Sequence, residues 1–151
     1  MMRHLLLAAL IACSAKTPDR AVPPPAASGQ GSAIEVLSST SGDGAAAVAV
    51  AARYIKAMAA RDWAAACATR AKAEQAQMAE LAGTCELAMA KAFEDKPVET
   101  FANATVARPR RRDGIVVVDF VLSIHDKPGP IFLAQEDHRW VLVEKDDSEA
   151  F

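Results

Sequence analysis

Three cysteines carry the most specific chemistry in this 151-residue chain, because a thiolate is a nucleophile and can also pair with a second thiol or bind a metal. Cys13 follows an unbroken apolar run over residues 5–12, which is preceded by Arg3. A charged start, a short apolar stretch and small residues are typical of a secretory signal. The run is too short for a permanent membrane-spanning helix, which needs about 20 residues. The sequence therefore predicts export.

Residues 10–13 read Leu-Ile-Ala-Cys and resemble the lipobox of bacterial lipoproteins. The resemblance implies a signal peptide over residues 1–12, cleavage before Cys13 and acylation of its thiol, with chains such as palmitate. The protein would then be anchored to a membrane of the cell envelope. In a two-membraned bacterium, Ser14 would favour the outer membrane. Two alternatives remain open, namely cleavage after Ala15 to release a soluble secreted protein, and a cytoplasmic protein with an apolar start.

A lipid on Cys13 leaves Cys67 and Cys85 as an even pair in an oxidising compartment, where disulfides form and persist. The two residues lie on adjacent predicted helices with a turn at Gly83 between them. A disulfide closing a loop of this size contributes about 3 kcal/mol in the chain-entropy model. That would support a core in which hydrophobic residues are 52% of the chain but aromatic residues only 5%. The alternative is two buried free thiols.

The composition of the sequence changes along the chain, and the predicted structure changes with it. Residues 13–44, rich in Pro, Gly and Ser, predict a tether, with a short strand or docking segment at 34–37. Residues 45–145 predict one α+β domain of N-terminal helices packed on one face of a curved antiparallel four-stranded sheet, and 146–151 an acidic tail. Four helices are predicted: the first begins at residue 45, the second covers 63–71, the third covers 72–81, and the fourth runs from 84 to Pro97. The predicted strands cover 101–108, 115–125, 131–135 and 139–144.

The sequence from residue 45 to 145 resembles the nuclear-transport-factor-2-like superfamily, with its SnoaL-like and lumazine-binding-like members. The resemblance is carried by Ala-Arg-Tyr-Ile-Lys-Ala-Met at 52–58, Arg-Asp-Trp at 61–63 and a last strand reading Arg-Trp-Val-Leu-Val at 139–143. More narrowly, it is similar to the small exported lipoproteins of that superfamily. The resemblance implies a cone in which the sheet curls around the first helix and leaves a pocket. Some relatives are enzymes, and many only bind or scaffold.

Large side chains on the predicted inner surfaces are candidates for lining such a pocket, and they are equally candidates for the hydrophobic core. Tyr54 is the only tyrosine of the chain. Its hydroxyl could donate a hydrogen bond to a ligand oxygen, or the ring could pack on the sheet with the hydroxyl at the rim. The candidates are Tyr54, Met58, Trp63, Phe93, Phe120 and Trp140.

The predicted second strand places Asp119, Ser123 and His125 on one face, which superficially suggests a nucleophilic triad. Residues two apart on a strand lie about 7 Å from each other, too far for Ser123 to hydrogen-bond His125. A metal site is not expected either, because His125 and His138 lie at opposite ends of the predicted sheet. No catalytic residue, metal site or cofactor is predicted.

Four arginines form the one dense basic cluster, and the Asp-Gly pair at 113–114 predicts a hairpin turn beside them. On a turn, these guanidinium groups could contact anionic lipid head groups or an acidic partner, and the alternative is a solvated turn. Nucleic acid is not expected, because no aromatic residues are interleaved and the formal charge is −2. The cluster is Arg108, Arg110, Arg111 and Arg112.

The sequence favours a non-catalytic envelope lipoprotein that meets the membrane through its lipid anchor and binds a small apolar ligand or a protein partner. The first alternative is an isomerase- or cyclase-type enzyme, which needs a desolvated carboxylate or histidine near Tyr54. The second is a homodimer formed through the exposed sheet face, which needs an apolar patch around Val117 and Val121.

Overall fold

A computed structural model describes residues 33–122 and 126–145, and within these ranges the chain has an α+β fold. The predicted signal peptide, Cys13, most of the tether, Ser123, His125 and the acidic tail lie outside the described residues. Four helices are α1 Gly42–Ala60, α2 Trp63–Ala68, α3 Lys72–Ala82 and α4 Cys85–Ala92, followed by a 3₁₀ turn at Val98–Thr100. Five strands are β1 Glu35–Val36, β2 Thr105–Arg112, β3 Ile115–Val121, β4 Gly129–Glu136 and β5 Arg139–Leu142.

The strands form one antiparallel sheet in the order β1-β2-β3-β4-β5, and the sheet is not closed. The predicted count of four strands was wrong by one. The additional strand is β1, which pairs with Arg110 and Arg111 at the edge of β2. Two residues are too few for alternation to identify a strand, so the sequence indicated only a short strand or docking segment there.

Helix α1 begins at Gly42, ahead of the predicted start at Ala45. Its first turn packs closely on the segment that follows β1. A Cβ atom at Gly44 would lie 2.1 Å from the Ser38 carbonyl oxygen, so this approach requires glycine. The helix therefore starts inside the segment that was predicted to be tether.

The short helices begin where side chains cap them. The carboxylate of Asp62 accepts a hydrogen bond from the Ala65 N–H at 3.0 Å and so caps the start of α2. The Thr84 hydroxyl oxygen accepts from the Leu87 N–H at 3.1 Å at the start of α4. These caps satisfy backbone donors that helices of six and eight residues cannot satisfy internally.

The core lies between the helices and one face of the sheet. Ala47 and Ala51 are fully buried on α1, and small side chains at these positions let the helix axis approach the strands. Val116 and Val118 of β3 are also fully buried in the core cluster, so this face of β3 points inward. The cluster continues through Tyr54, Ile55, Met58, Ala66, Met89, Ile131, Leu133 and Leu142.

The opposite face of the sheet also carries buried apolar residues. Val117, Phe132 and Val141 are 0%, 5% and 3% exposed, yet they do not belong to the core cluster. Val117 pairs with Phe132, and Val141 pairs with Ala134, so the side chains lie side by side on neighbouring strands. The apolar patch considered for dimerisation therefore offers no exposed surface at Val117.

The free edge of β5 is paired with the loop that joins α2 to α3. The Leu142 N–H donates to the Thr69 carbonyl oxygen at 2.8 Å, and the Ala71 N–H donates to the Leu142 carbonyl oxygen at 2.9 Å. Arg70 thus forms a parallel bridge with Leu142. This pairing brings the Arg70 side chain next to the end of the sheet.

Strand β2 contains a bulge between Ala107 and Arg110. Arg108 takes a φ of 53°, a conformation uncommon for residues other than glycine, and Pro109 is fully buried. The extra residues shift the alternation, so that Arg110 lies opposite Val117. The positively charged residues are therefore in a strand rather than in the turn, which is limited to Asp113 and Gly114 at φ values of 52° and 78°.

Candidate functional site

A cavity of about 410 Å³ lies between α1, the end of α4 and the ends of strands β3 to β5. Its walls are mostly apolar side chains, with Arg70 as the charged group of the interior and Glu144 and Lys145 contributed by the chain after β5. The apolar part of the wall includes Ile55, Met78, Phe101, Leu122, Ile131 and Leu142.

Three of the six predicted lining residues, Tyr54, Phe93 and Phe120, line this cavity. Trp63 instead lines a separate groove of about 900 Å³ between α3 and α4. Met58 is buried in the core, and Trp140 packs against the core from a half-buried position. The six residues therefore divide between cavity, groove and core.

Contacts between aromatic rings stabilise the wall that the cavity and the groove share. The rings of Trp63 and Phe93 stack with centroids 6.3 Å apart, and Phe93 meets Phe101 edge-on at 5.9 Å. Such pairs contribute about 0.5–1.5 kcal/mol beyond the burial of their surface. Phe93 lines both the groove and the cavity, together with Arg70 and Met78, so these three side chains form the wall between them.

Arg70 connects the cavity to the core through two side chains. Its Nη2 donates to the Tyr54 hydroxyl oxygen at 3.2 Å, its Nη1 donates to a Glu74 carboxylate oxygen at 3.1 Å, and its guanidinium lies 5.4 Å from the centre of the Tyr54 ring. Burial disfavours the charged form of Arg70, but Tyr54 and Glu74 outweigh it, so the pKa of the guanidinium is raised. Arg70 is therefore a fixed cation within an otherwise apolar wall.

The hydroxyl of Tyr54 retains a capacity to bind a ligand. Because its oxygen accepts from Arg70, the hydroxyl keeps its own hydrogen and can still donate it. The Glu74 carboxylate accepts from both Arg70 and the Glu144 N–H, and Glu74 does not line the cavity. Tyr54 and Arg70 are thus the polar groups that the interior presents to a small molecule.

The sequence analysis did not identify Arg70 as a residue of the site. A single arginine between two alanine-rich helices has no periodic pattern that marks it as inward-facing. Only its pairing with Leu142 and its two side-chain partners place it at the cavity. The alternation of the strands, by contrast, did indicate that Phe120 faces the interior.

The structure brings Cys67 and Cys85 together at disulfide distance, with their Cα atoms 6.1 Å apart. The pair joins α2 to the first residue of α4, and both residues are buried. The sulfur of Met78 on α3 lies 3.6 Å from the Cys85 sulfur. Three helices therefore meet at this point beneath the groove.

The arginine cluster is mostly engaged in ion pairs of the fold. Arg110 binds Asp119 through two hydrogen bonds of 3.0 and 2.8 Å, and the hydrogen bond from its guanidinium to that carboxylate raises the pKa of Arg110. Arg111 pairs with Asp43 of α1 and lies 3.7 Å from Glu35 of β1. These contacts tie the edge of the sheet to the first helix, and Arg108 is the exposed member at the bulge.

A second ion pair joins α3 to the β4–β5 turn. Lys72 Nζ donates to an Asp137 carboxylate oxygen at 2.6 Å. This hydrogen bond lowers the pKa of Asp137 and raises the pKa of Lys72. Both side chains are 66% exposed, so water and salt screen the interaction and it contributes little to stability.

Within residues 33–122 and 126–145, histidine, cysteine, aspartate and glutamate side chains form no group of three that could hold a metal ion. No helix in the same ranges is both long and apolar enough to span a bilayer. Comparisons with protein-family models, with curated proteins and with solved structures give no match to this chain. Its function must therefore be inferred from the cavity, the ion pairs and the surfaces of the fold.

Proposed function

We propose that this chain is a non-catalytic lipoprotein of the cell envelope, whose folded domain binds a small, mainly apolar ligand in the cavity beside Tyr54 and Arg70. The observation that carries the proposal is the cavity itself. Its volume of about 410 Å³ falls in the range of small-molecule sites, which are mostly apolar with few polar groups.

The polar groups of the cavity favour a neutral ligand with one oxygen that accepts a hydrogen bond. The charge of Arg70 is already balanced by Glu74 at 3.1 Å, so a buried ligand carboxylate would add an uncompensated negative charge. A carbonyl, ester or hydroxyl oxygen, in contrast, can accept from Tyr54 without that cost. A neutral amphiphile with a short apolar body fits best.

Export and anchoring are supported by the apolar run before Cys13 and by the cysteine pair. A paired Cys67 and Cys85 fits an oxidising compartment, which is where an exported domain would fold. A long first helix packed on an antiparallel sheet is a generic α+β arrangement, so the proposed relationship to the nuclear-transport-factor-2-like superfamily rests on the sequence resemblance at 52–58, 61–63 and 139–143.

The alternatives have less support. An enzyme of the isomerase type needs a desolvated acid or base in the cavity, but Glu74 is bound to Arg70, and Glu144, which lines the cavity, is exposed. A dimer through the sheet face needs an exposed apolar patch, but Val117 is buried. A protein partner remains compatible with the groove between α3 and α4, where Leu81 and Leu87 are exposed.

The Leu122→Trp substitution tests the ligand site. Leu122 lines the cavity from a half-buried position, so the larger indole should fill part of the volume without replacing a core residue. Binding of the neutral dye N-phenyl-1-naphthylamine is measured by fluorescence, with displacement by the methyl ester of a medium-chain fatty acid. We expect about ten-fold weaker binding, equivalent to ~1.4 kcal/mol.

The matched control is Val98→Trp, which adds the same side chain at a position that is 46% exposed and lines neither this cavity nor the groove between α3 and α4. Binding to this variant should equal that of the unmodified chain. Equal loss in both variants, or no loss in Leu122→Trp with circular dichroism unchanged, contradicts a ligand site in this cavity.

A further inference from the structure

The groove between α3 and α4 has exposed apolar side chains that the fold itself does not use. Its volume of about 900 Å³ is more than twice that of the cavity. Leu81 of α3 is 80% exposed and Leu87 of α4 is 58% exposed, and both line the groove. Single exposed leucines need no explanation, but two that share a groove mark a surface on which apolar groups bind.

The lining of the groove suits a hydrocarbon chain. Apart from Arg70, its charged residues are Arg61, Lys91 and Glu94, and all three are exposed. Their charged ends can therefore stay in water while a hydrocarbon chain contacts the apolar part of the lining. That part includes Trp63, Met78, Leu81, Leu87, Met89 and Phe93.

The wall between the groove and the cavity has one member that can move aside. Arg70 is held by Tyr54 and Glu74, and Phe93 is held by the rings of Trp63 and Phe101. Met78 is half-buried, and its side chain is unbranched with three rotatable bonds. A change of the Met78 rotamer would let an apolar chain continue from the cavity into the groove.

The hydrogen-bond donor of the cavity lies beside this wall. Arg70 is part of the wall, and its Nη2 lies 3.2 Å from the Tyr54 hydroxyl oxygen. The hydrogen of that hydroxyl is the one that the proposed function assigns to a ligand oxygen. An oxygen bound there has the cavity on one side and, past Met78, the groove on the other.

We propose that the ligand is a neutral ester whose carbonyl oxygen binds at Tyr54 and whose two hydrocarbon arms occupy the cavity and the groove. This inference rests on the proposed function and extends it, because it assigns the position of the oxygen within the ligand. A ligand with its oxygen at one end must leave one of the two spaces empty or give up the hydrogen bond from Tyr54. An arm buried in the groove adds binding energy that the cavity alone does not supply.

Two isomeric esters test the position of the oxygen. Hexyl octanoate and methyl tridecanoate have the same formula and differ only in where the ester group lies. Their affinities for the full chain are measured by displacement of N-phenyl-1-naphthylamine. Hexyl octanoate should bind about ten-fold more tightly, because only this isomer fills both spaces with its oxygen at Tyr54. Methyl octanoate has the same acyl arm as hexyl octanoate and measures binding to the cavity alone.

The double variant Leu81→Gln, Leu87→Gln tests the groove. Both side chains are exposed, so the circular dichroism spectrum should not change. Affinity for hexyl octanoate should fall about ten-fold, while affinity for methyl octanoate stays the same. The matched control is the double variant Ile34→Gln, Val98→Gln, at positions that are 49% and 46% exposed and line neither space. It should bind both esters as the unmodified chain does.

The possible failures separate this inference from the proposed function. Equal affinity for the two isomers overturns the inference, and so does an unchanged affinity of the groove variant for hexyl octanoate. In both cases, binding of methyl octanoate still supports a ligand site in the cavity. If none of the esters displaces the dye, the proposed function fails as well. If the groove variant loses a dimer in analytical ultracentrifugation but keeps its affinity for hexyl octanoate, the groove belongs to a second copy and the inference is overturned.

Discussion

Arg70 is a charged side chain held within an alanine-rich interior. Its side chain is 15% exposed and that of Glu74 is 13% exposed, so each charge depends on the other for compensation. The Nε atom of Arg70 is buried, and among the described residues it has no hydrogen-bond partner. The guanidinium is therefore kept in place by Glu74 and by Tyr54, whose ring and hydroxyl both contact it.

Replacing Arg70 with methionine should destabilise the fold by about 3 kcal/mol, at the lower end of the range for a broken buried pair, because Glu74 would lose its partner. The free energy of unfolding is measured by urea denaturation. The double variant Arg70→Met, Glu74→Leu should recover most of the loss. A single variant as stable as the double variant would show that the pair carries no coupling.

At the scale of elements, the pair of Cys67 and Cys85, which are 18 residues apart in sequence, joins α2 to α4, and Met78 of α3 contacts Cys85. Helix α2 has only six residues and α3 has no buried residue, so neither forms a strong unit by itself. The link between α2 and α4 also fixes the groove wall that contains Phe93. The Cys67–Cys85 pair thus compensates for the small area that the alanine side chains of these helices bury.

Replacing both cysteines with serine should lower the free energy of unfolding by about 3 kcal/mol, as the chain-entropy model gives for a loop of this length. Guanidinium denaturation with and without reductant measures the effect. Reductant should destabilise the unmodified chain by a similar amount and leave the double variant unchanged. A chain insensitive to reductant would mean that the two sulfurs are not bonded in solution.

The elements differ in how well the sequence predicts them. The four helices and the last four strands follow from periodicity, caps and turn residues, such as Asp62 and Gly83. Strand β1 was undercounted because two residues contain no pattern. The arginines were placed in a turn because composition cannot reveal a bulge at Arg108, and their ion pairs with Asp119 and Asp43 depend on contacts between distant segments.

For the whole molecule, the proposed location in the cell envelope depends on Cys13. Cys13→Ser removes the thiol that would accept the lipid, so the protein should move from the membrane fraction to the soluble fraction of the envelope. Cell fractionation with mass spectrometry of the intact protein measures both location and acyl mass. Ser14→Ala is the control, because it keeps the acceptor thiol. A Cys13→Ser protein that stays in the membrane fraction contradicts the anchor.

The pairing of Thr69 and Ala71 with Leu142 bears on how the protein behaves at high local concentration. An unpaired strand edge is a template on which a second chain can add, and this is a common route to fibrils. Here the β5 edge is occupied by the chain's own backbone, and the opposite edge is the two-residue β1. At high local concentration, such molecules should therefore resist edge-to-edge pairing at Leu142, because a loop of the chain already occupies that position.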